Sequence, residues 1–140
     1  VKTTGFITLD LPLPPSLNTA FARGGAGHRI GRTANYRWWV RCVLDEFRGR
    51  ALPRMRRGHY ALWLDLPVSM KGDTDNRLKL VSDMLKEGPN KLGVVEDDRF
   101  MKDHHVSQVF TGVPGRCVVT LVSLASGRQA WIDYVGMRIC

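Results

Sequence analysis

Acidic residues are scarce in this chain: 13 Asp and Glu stand against 21 Lys and Arg, a formal net charge of +8 at neutral pH. A surplus of that size fits a polyanionic partner. Cysteine is scarcer still. Cys42, Cys117 and Cys140 are odd in number and lack metal-ligand spacing, which argues against a disulfide framework and for a reducing compartment. No run reaches the roughly 18 apolar residues of a membrane span, and the N-terminal residues lack a basic-then-apolar signal pattern. The chain is therefore expected to be unexported, with no membrane partner. Internal repeats and low-complexity segments are absent. The Gly-rich stretch 21–32 lacks the phosphate-cradling P-loop pattern, because Ala26 and Arg32 stand where Gly and Lys are required, and this excludes a nucleotide cofactor held in that way. What remains is a chain of 140 residues, 44% hydrophobic with four Trp, which suits one folded domain.

Along the chain, residues 6–11 have a strand's composition, closed by Pro12, Pro14 and Pro15, which cannot donate to a ladder. Residues 21–32, with Arg23, Arg29 and Arg32 among the glycines, are expected to form a basic loop that orders on a phosphate backbone. Thr33 suits the N-cap of a helix running to about Arg48. On that helix Tyr36, Trp39, Val40, Val43, Leu44 and Phe47 make a core face, and Arg37, Arg41 and Arg48 lie near the other side. The loop 49–58 holds Arg50, Arg54, Arg56 and Arg57 with no acid among them, the best phosphate contacts outside the acidic stretch. Residues 59–68 alternate, with Tyr60, Leu62, Leu64 and Leu66 on one face and Ala61, Trp63 and Asp65 on the other, as a strand requires. Residues 104–110 and 117–124 are expected to be strands joined by a hairpin connection over 111–116. Adjacent histidines on a strand face opposite sides, which argues against His104 and His105 as a metal pair. The order strand, helix, strand, helix, two strands defines an α+β domain: a small mixed β-sheet carrying two helices. The tail 125–140, with Trp131, Ile132, Tyr134 and Val135, is apolar enough to dock, across a dimer among other places.

The few acids are unevenly spread. Asp73, Asp75, Asp97 and Asp98 all fall within residues 71–99. Carboxylates placed side by side repel each other, so a cation between them is the simplest reason to keep them together. Magnesium takes oxygen donors, usually one or two carboxylates, and leaves its other positions to water and substrate phosphate. Asp73, Asp75 and Asp98 could supply such a site. Between the two pairs, residues 76–87 read as a helix. Leu78, Leu80, Val81, Met84 and Leu85 fall on one arc, and Asn76, Lys79, Ser82, Asp83, Lys86 and Glu87 on the other. Arg77, the one charge on the apolar arc, is expected to snorkel outward. Asp75 is expected at the N-cap, where the macrodipole favours negative charge. If 92–98 is extended, Glu96 and Asp98 point one way and Asp97 the other, which favours Asp98 as the ligand with Glu96 as an auxiliary.

Asp73-x-Asp75-Asn76-x-x-Lys79, then Asp83 and Leu85, then Asp97-Asp98 after a Gly-containing loop, resembles the RusA family of Holliday-junction resolvases. The opening segment Pro14-Pro15-Ser16-Leu17-Asn18 after a short strand is similar too, and the resemblance runs over roughly residues 6–124. The sequence departs from the pattern at Phe100, where a polar residue often follows the Asp pair, and at Glu96, an added carboxylate. The resemblance implies a homodimeric, structure-selective endonuclease of DNA recombination and repair that binds four-way junctions and nicks two strands symmetrically. It implies magnesium as cofactor, with manganese as a substitute, and the cytoplasm of a bacterial or phage-infected cell. By position, Asp73, Asp75 and Asp98 are the expected metal ligands, and Lys79 joins them as a catalytic residue. Asp97, Glu96, Asp83 and Asn76 are candidate auxiliaries. Arg23, Arg29, Arg32, Arg54, Arg56 and Arg57 are the expected DNA contacts. Residues 1–124 would form the endonuclease domain, and 125–140 a tail of uncertain role. The competing expectation is a non-catalytic basic DNA-binding protein whose carboxylates only cap and turn.

Overall fold

The computed structural model of the chain describes residues 3–15, 21–23, 30–32, 34–70, 74–110 and 113–139. The chain opens with β1 (Thr3–Thr4) and β2 (Phe6–Pro12), on which Ile7, Leu9 and Leu11 turn inward at the strand period of two. Next come β3 (Phe21–Arg23) and β4 (Ile30–Arg32), which pair antiparallel. The basic stretch expected as a loop therefore has paired ends, with Phe21 opposite Arg32 and Arg23 opposite Ile30. Arg29 lies outside the described residues. The helix α1 (Ala34–Glu46) follows, then β5 (Arg54–Met55), which pairs in parallel with β1. The remaining elements are β6 (Tyr60–Pro67), α2 (Thr74–Leu85), a 3₁₀ turn at Asp98–Phe100, β7 (Met101–Phe110), β8 (Arg116–Ser123) and α3 (Gln129–Ile139).

Four strands form the main sheet in the order β2-β8-β6-β7, antiparallel except for the parallel pair β6 and β7. The sheet is mixed, as expected of an α+β domain. The hairpin expected between β7 and β8 does not form, because β6 lies between them, pairing Leu62 with His104 on one side and with Leu121 on the other. The physical reason is the burial of β6 on both faces: a strand buried along its whole length is most stable at the centre of a sheet.

The two faces of β6 feed two cores. Tyr60, Leu62, Leu64 and Leu66 join the larger one, with Tyr36, Trp39 and Val43 of α1 and Leu78, Val81 and Leu85 of α2. Fully burying each such leucine is worth about 1.5–3 kcal/mol. Trp39 also donates from its indole nitrogen to the Pro12 carbonyl at 2.9 Å. Ala61 and Trp63 face the other way and meet Val122 and Trp131 in the smaller core. Two helices were expected; among the described residues there are three, and α3, formed by the tail, covers this second face of the sheet. Arg138 of α3 clamps the buried Asp65 with two bonds of 2.5 and 2.8 Å, and its guanidinium sits over the Trp63 ring. Cys42 and Cys117 are free, and burial pushes the Cys117 thiol up to about 12. Among the described residues no helix is long and apolar enough to cross a membrane.

Candidate metal and nucleic-acid site

The apolar arc of α2 packs inward: Leu78, Leu80, Val81, Met84 and Leu85 are all buried. The helix begins at Thr74, so Asp75 lies in its first turn rather than at the N-cap. Asp73 lies outside the described residues. Arg77 does not snorkel outward. It is 8% exposed and donates from Nε to the Pro14 carbonyl at 3.1 Å, because the proline-rich segment after β2 offers an acceptor nearer than water. Burial lowers the pKa of its guanidinium. Ser82, from the polar arc, is buried as well and satisfies its hydroxyl on the Lys79 carbonyl at 3.1 Å.

The outer face keeps its charge. Lys79 is exposed and Asn76 half-buried. Asp83 is ion-paired with Lys86 at 3.0 Å and with Lys91. Burial pushes its carboxyl up, but the hydrogen bonds from Lys91 and Lys86 outweigh this and hold it below the usual carboxylate range. Asp83 thus already has two cations, so its carboxylate is committed to folding the end of α2.

After α2 the chain turns back on the helix end. The amides of Leu92, Gly93 and Val94 donate to the carbonyls of Met84, Lys86 and Leu85, satisfying the acceptors that a helix C-terminus leaves open. Gly88 and Gly93, with φ of 138° and 67°, and Asn90, at 59°, provide the left-handed positions this requires. Val94 and Val95, both buried, then fix the acidic residues that follow. Residues 96–98 do not form the continuous extended run that was expected: Asp97 itself is extended, with φ −159° and ψ 148°, but Glu96 lies in a bend and Asp98 opens the 3₁₀ turn. Asp97 caps the 3₁₀ turn by accepting from the Arg99 amide at 3.2 Å, and this local bond brings the Asp97 and Asp98 carboxyls together instead of sending them to opposite sides.

The two acids consequently diverge. Burial, and then the hydrogen bond with Asp97, push Asp98 above the usual carboxylate range. The Arg99 amide, and then the hydrogen bond with Asp98, hold Asp97 below it. Two carboxyls this close titrate as a pair, not singly. Beneath it lies Tyr60, buried, whose hydroxyl has no hydrogen-bond partner among the described residues. Burial pushes that phenol up, and the charges of Asp98 and Asp97 add to the shift.

These groups gather at one end of α2. Asp98 feels both Asp83, from the last turn of the helix, and Lys86, just beyond it, whereas Asp75 occupies the first turn. Eight residues separate Asp75 from Asp83, about 12 Å of helix at 1.5 Å per residue. Among the described residues no group of three His, Cys, Asp or Glu converges in a way that could hold a metal ion. The chemistry of Asp97 and Asp98 nevertheless fits magnesium: two adjacent carboxyls match the one or two carboxylates such an ion takes. Glu96 faces a small pocket shared with Arg56, Arg57 and Tyr60.

The loop arginines differ from one another. Arg54, expected to have no acid nearby, is ion-paired with Glu87 across from the loop, while Arg56 and Arg57 are exposed. Arg23 and Arg32 stand on the ribbon of β3 and β4. His104 and His105 are both exposed, and the His105 ring stacks on Trp63 with centroids 4.0 Å apart. Sequence reasoning missed Tyr60 as a neighbour of the acidic pair. Its one signal was its phase on β6, which placed it in the core without saying under what. Comparison of the chain with protein-family models and with curated proteins gave no match.

Proposed function

We propose that the protein is a magnesium-dependent, structure-selective DNA endonuclease of the RusA type, which resolves four-way junctions as a homodimer. The observation that carries this reading is the Asp97–Asp98 pair, two carboxyls held against each other at the 3₁₀ turn in a chain of net charge +8. Asp98 and Asp97 would hold the ion, with Asp73 and Asp75 as the further expected ligands. When bound, magnesium polarises the scissile phosphate and lowers the pKa of the attacking water. Lys79, exposed on the outer face of α2, offsets charge on the phosphate. Arg56 and Arg57, with the basic ribbon of β3 and β4, hold the backbone of the arms. The test is incubation with a synthetic four-way junction in magnesium and in chelator, with linear duplex as control. Paired nicks in the junction, dependent on magnesium, are expected; a junction that is bound and left whole would overturn the reading.

One observation favours a second reading, a non-catalytic basic DNA-binding protein. Asp97 caps the 3₁₀ turn, and Asp83 is ion-paired with Lys86 and Lys91. Carboxylates engaged in this way are caps and turn formers. The same assay decides, since this second protein binds without cutting.

A further inference from the structure

Between α1 and the turn that follows α2 lies a groove of about 720 Å³. Its walls are cationic: Arg37 and Arg41, one helical turn apart on α1, and Arg48 just beyond it face Lys86 and Lys91. Against these five cations the lining holds two acids, a net charge of +3; Asp45 is paired with Arg48 at 2.5 Å and Glu87 with Arg54, while Lys86 and Lys91 share Asp83, which lies outside the lining. Val40, Leu44 and Pro89 give the groove an apolar lining between the charges. Lys86 also feels the charges of Asp98 and Asp97, so the groove adjoins the acidic turn.

We propose that this groove binds one unpaired DNA strand, with phosphates on the arginines and a base against the apolar lining, and leads that strand past Asp98. The inference rests on the DNA-directed reading above and deepens it by naming the form of DNA that the site takes. Cationic walls with an apolar floor match an unpaired strand, which offers phosphates and open base faces together. A duplex offers the apolar floor no open base face, because its bases are stacked inward. Selectivity for branched DNA follows, since an unpaired strand is available where arms open at a branch point and absent from linear duplex.

The experiment is fluorescence anisotropy with a labelled oligo-dT strand and a blunt duplex of equal length, across a salt series. It compares wild type with Arg41→Glu/Arg48→Glu and with Arg41→Lys/Arg48→Lys, the fold being checked by circular dichroism. Both arginines are exposed, and the ion pair of Arg48 with Asp45 is of the surface kind, worth about 0–1 kcal/mol. Charge reversal is expected to weaken oligo-dT binding at least about 10-fold and to make the log–log salt slope shallower by roughly 0.7 per lost phosphate contact. Duplex binding should move far less, and the lysine variant should retain most of the affinity. Oligo-dT binding left unchanged by charge reversal would overturn the inference, as would a wild type that binds junctions but no oligo-dT. If oligo-dT binds through these arginines and no junction is ever cut, the groove stands and the nuclease reading falls.

Discussion

Asp98 is the residue on which the metal question turns, and its titration gives a test that needs no DNA. Its folded pKa is raised, so between the ordinary carboxylate value and the raised one the folded state keeps a proton that the unfolded chain has released. Stability therefore falls as pH rises through that window. Asp97, held below the usual range, acts in the opposite sense: its contribution is present above the ordinary value and is lost as pH falls through its lowered one. Above the raised value both groups are charged and repel, so there Asp98→Asn should melt at a higher temperature than wild type, and the gain should shrink as pH falls back towards the ordinary carboxylate value. Magnesium should raise the wild-type melting temperature and leave that of Asp98→Asn unmoved. A wild type indifferent to magnesium would remove the acidic turn as a metal site. The presence of this pair was legible in the sequence, because adjacent acids are conspicuous in a basic chain. Its geometry was not, since a single bond from the Arg99 amide to Asp97 decides between a strand and a turn. Arg77 shows the same limit: its phase on the helix was readable, but its acceptor, Pro14, lies 63 residues away.

At the scale of elements, α3 rests on a few contacts that can be counted. Trp131 is 4% exposed and fills the space over Ala61 and Trp63, so Trp131→Ala should cost about 3–5 kcal/mol. Arg138→Met would leave the buried Asp65 with only the Trp63 indole, at 3.1 Å. Removing one partner of a buried pair costs about 3–5 kcal/mol, and the partial exposure of Arg138 puts the expected loss at the lower end. Asp65→Asn added to Arg138→Met should recover much of it, because the uncompensated charge is then gone; a urea titration of the four proteins gives the coupling. If the single and double variants are equally destabilised, the clamp is not what Arg138 contributes. The alternation along β6 was readable because a strand's two faces follow directly from sequence parity. That α3 would meet one of those faces was not, since Trp131 and Tyr134 mark an apolar stripe without naming what covers it. The pairing of β7 with β6 instead of β8 was equally out of reach, because turn residues such as Pro114 and Gly115 permit a hairpin without enforcing one.

Across the whole molecule the arginines sort by partner, and salt dependence can separate them. Arg56 and Arg57 are exposed, whereas Arg54 is tied to Glu87. Arg56→Ala with Arg57→Ala should weaken binding to every DNA form and make the log-affinity against log-salt slope shallower by roughly one unit per lost contact. Arg54→Ala should leave the slope alone; a slope that changes only with Arg54 would reverse the assignment.

The largest-scale consequence comes from the length of α2. Asp98 keeps company with Asp83, which stands about 12 Å of helix axis from Asp75, and the proposed chemistry asks Asp75 and Asp98 to share an ion. A two-fold dimer resolves the conflict if α2 of one protomer runs antiparallel to that of its partner, so that each Asp75 end meets the other protomer's acidic turn. An isologous contact makes both meetings at once and yields two sites, as two symmetric nicks require. Asp75→Asn and Asp98→Asn should each be inactive alone. Co-expressed, they should recover roughly a quarter of wild-type nicking, since half of randomly assembled dimers are mixed and each of these carries one intact site and one doubly defective site. The recovered cuts should be single nicks, which leave a junction unresolved, so the readout is nicked product without resolved duplex. If light scattering shows dimers and the mixture still cuts nothing, the two carboxylates do not act across the interface.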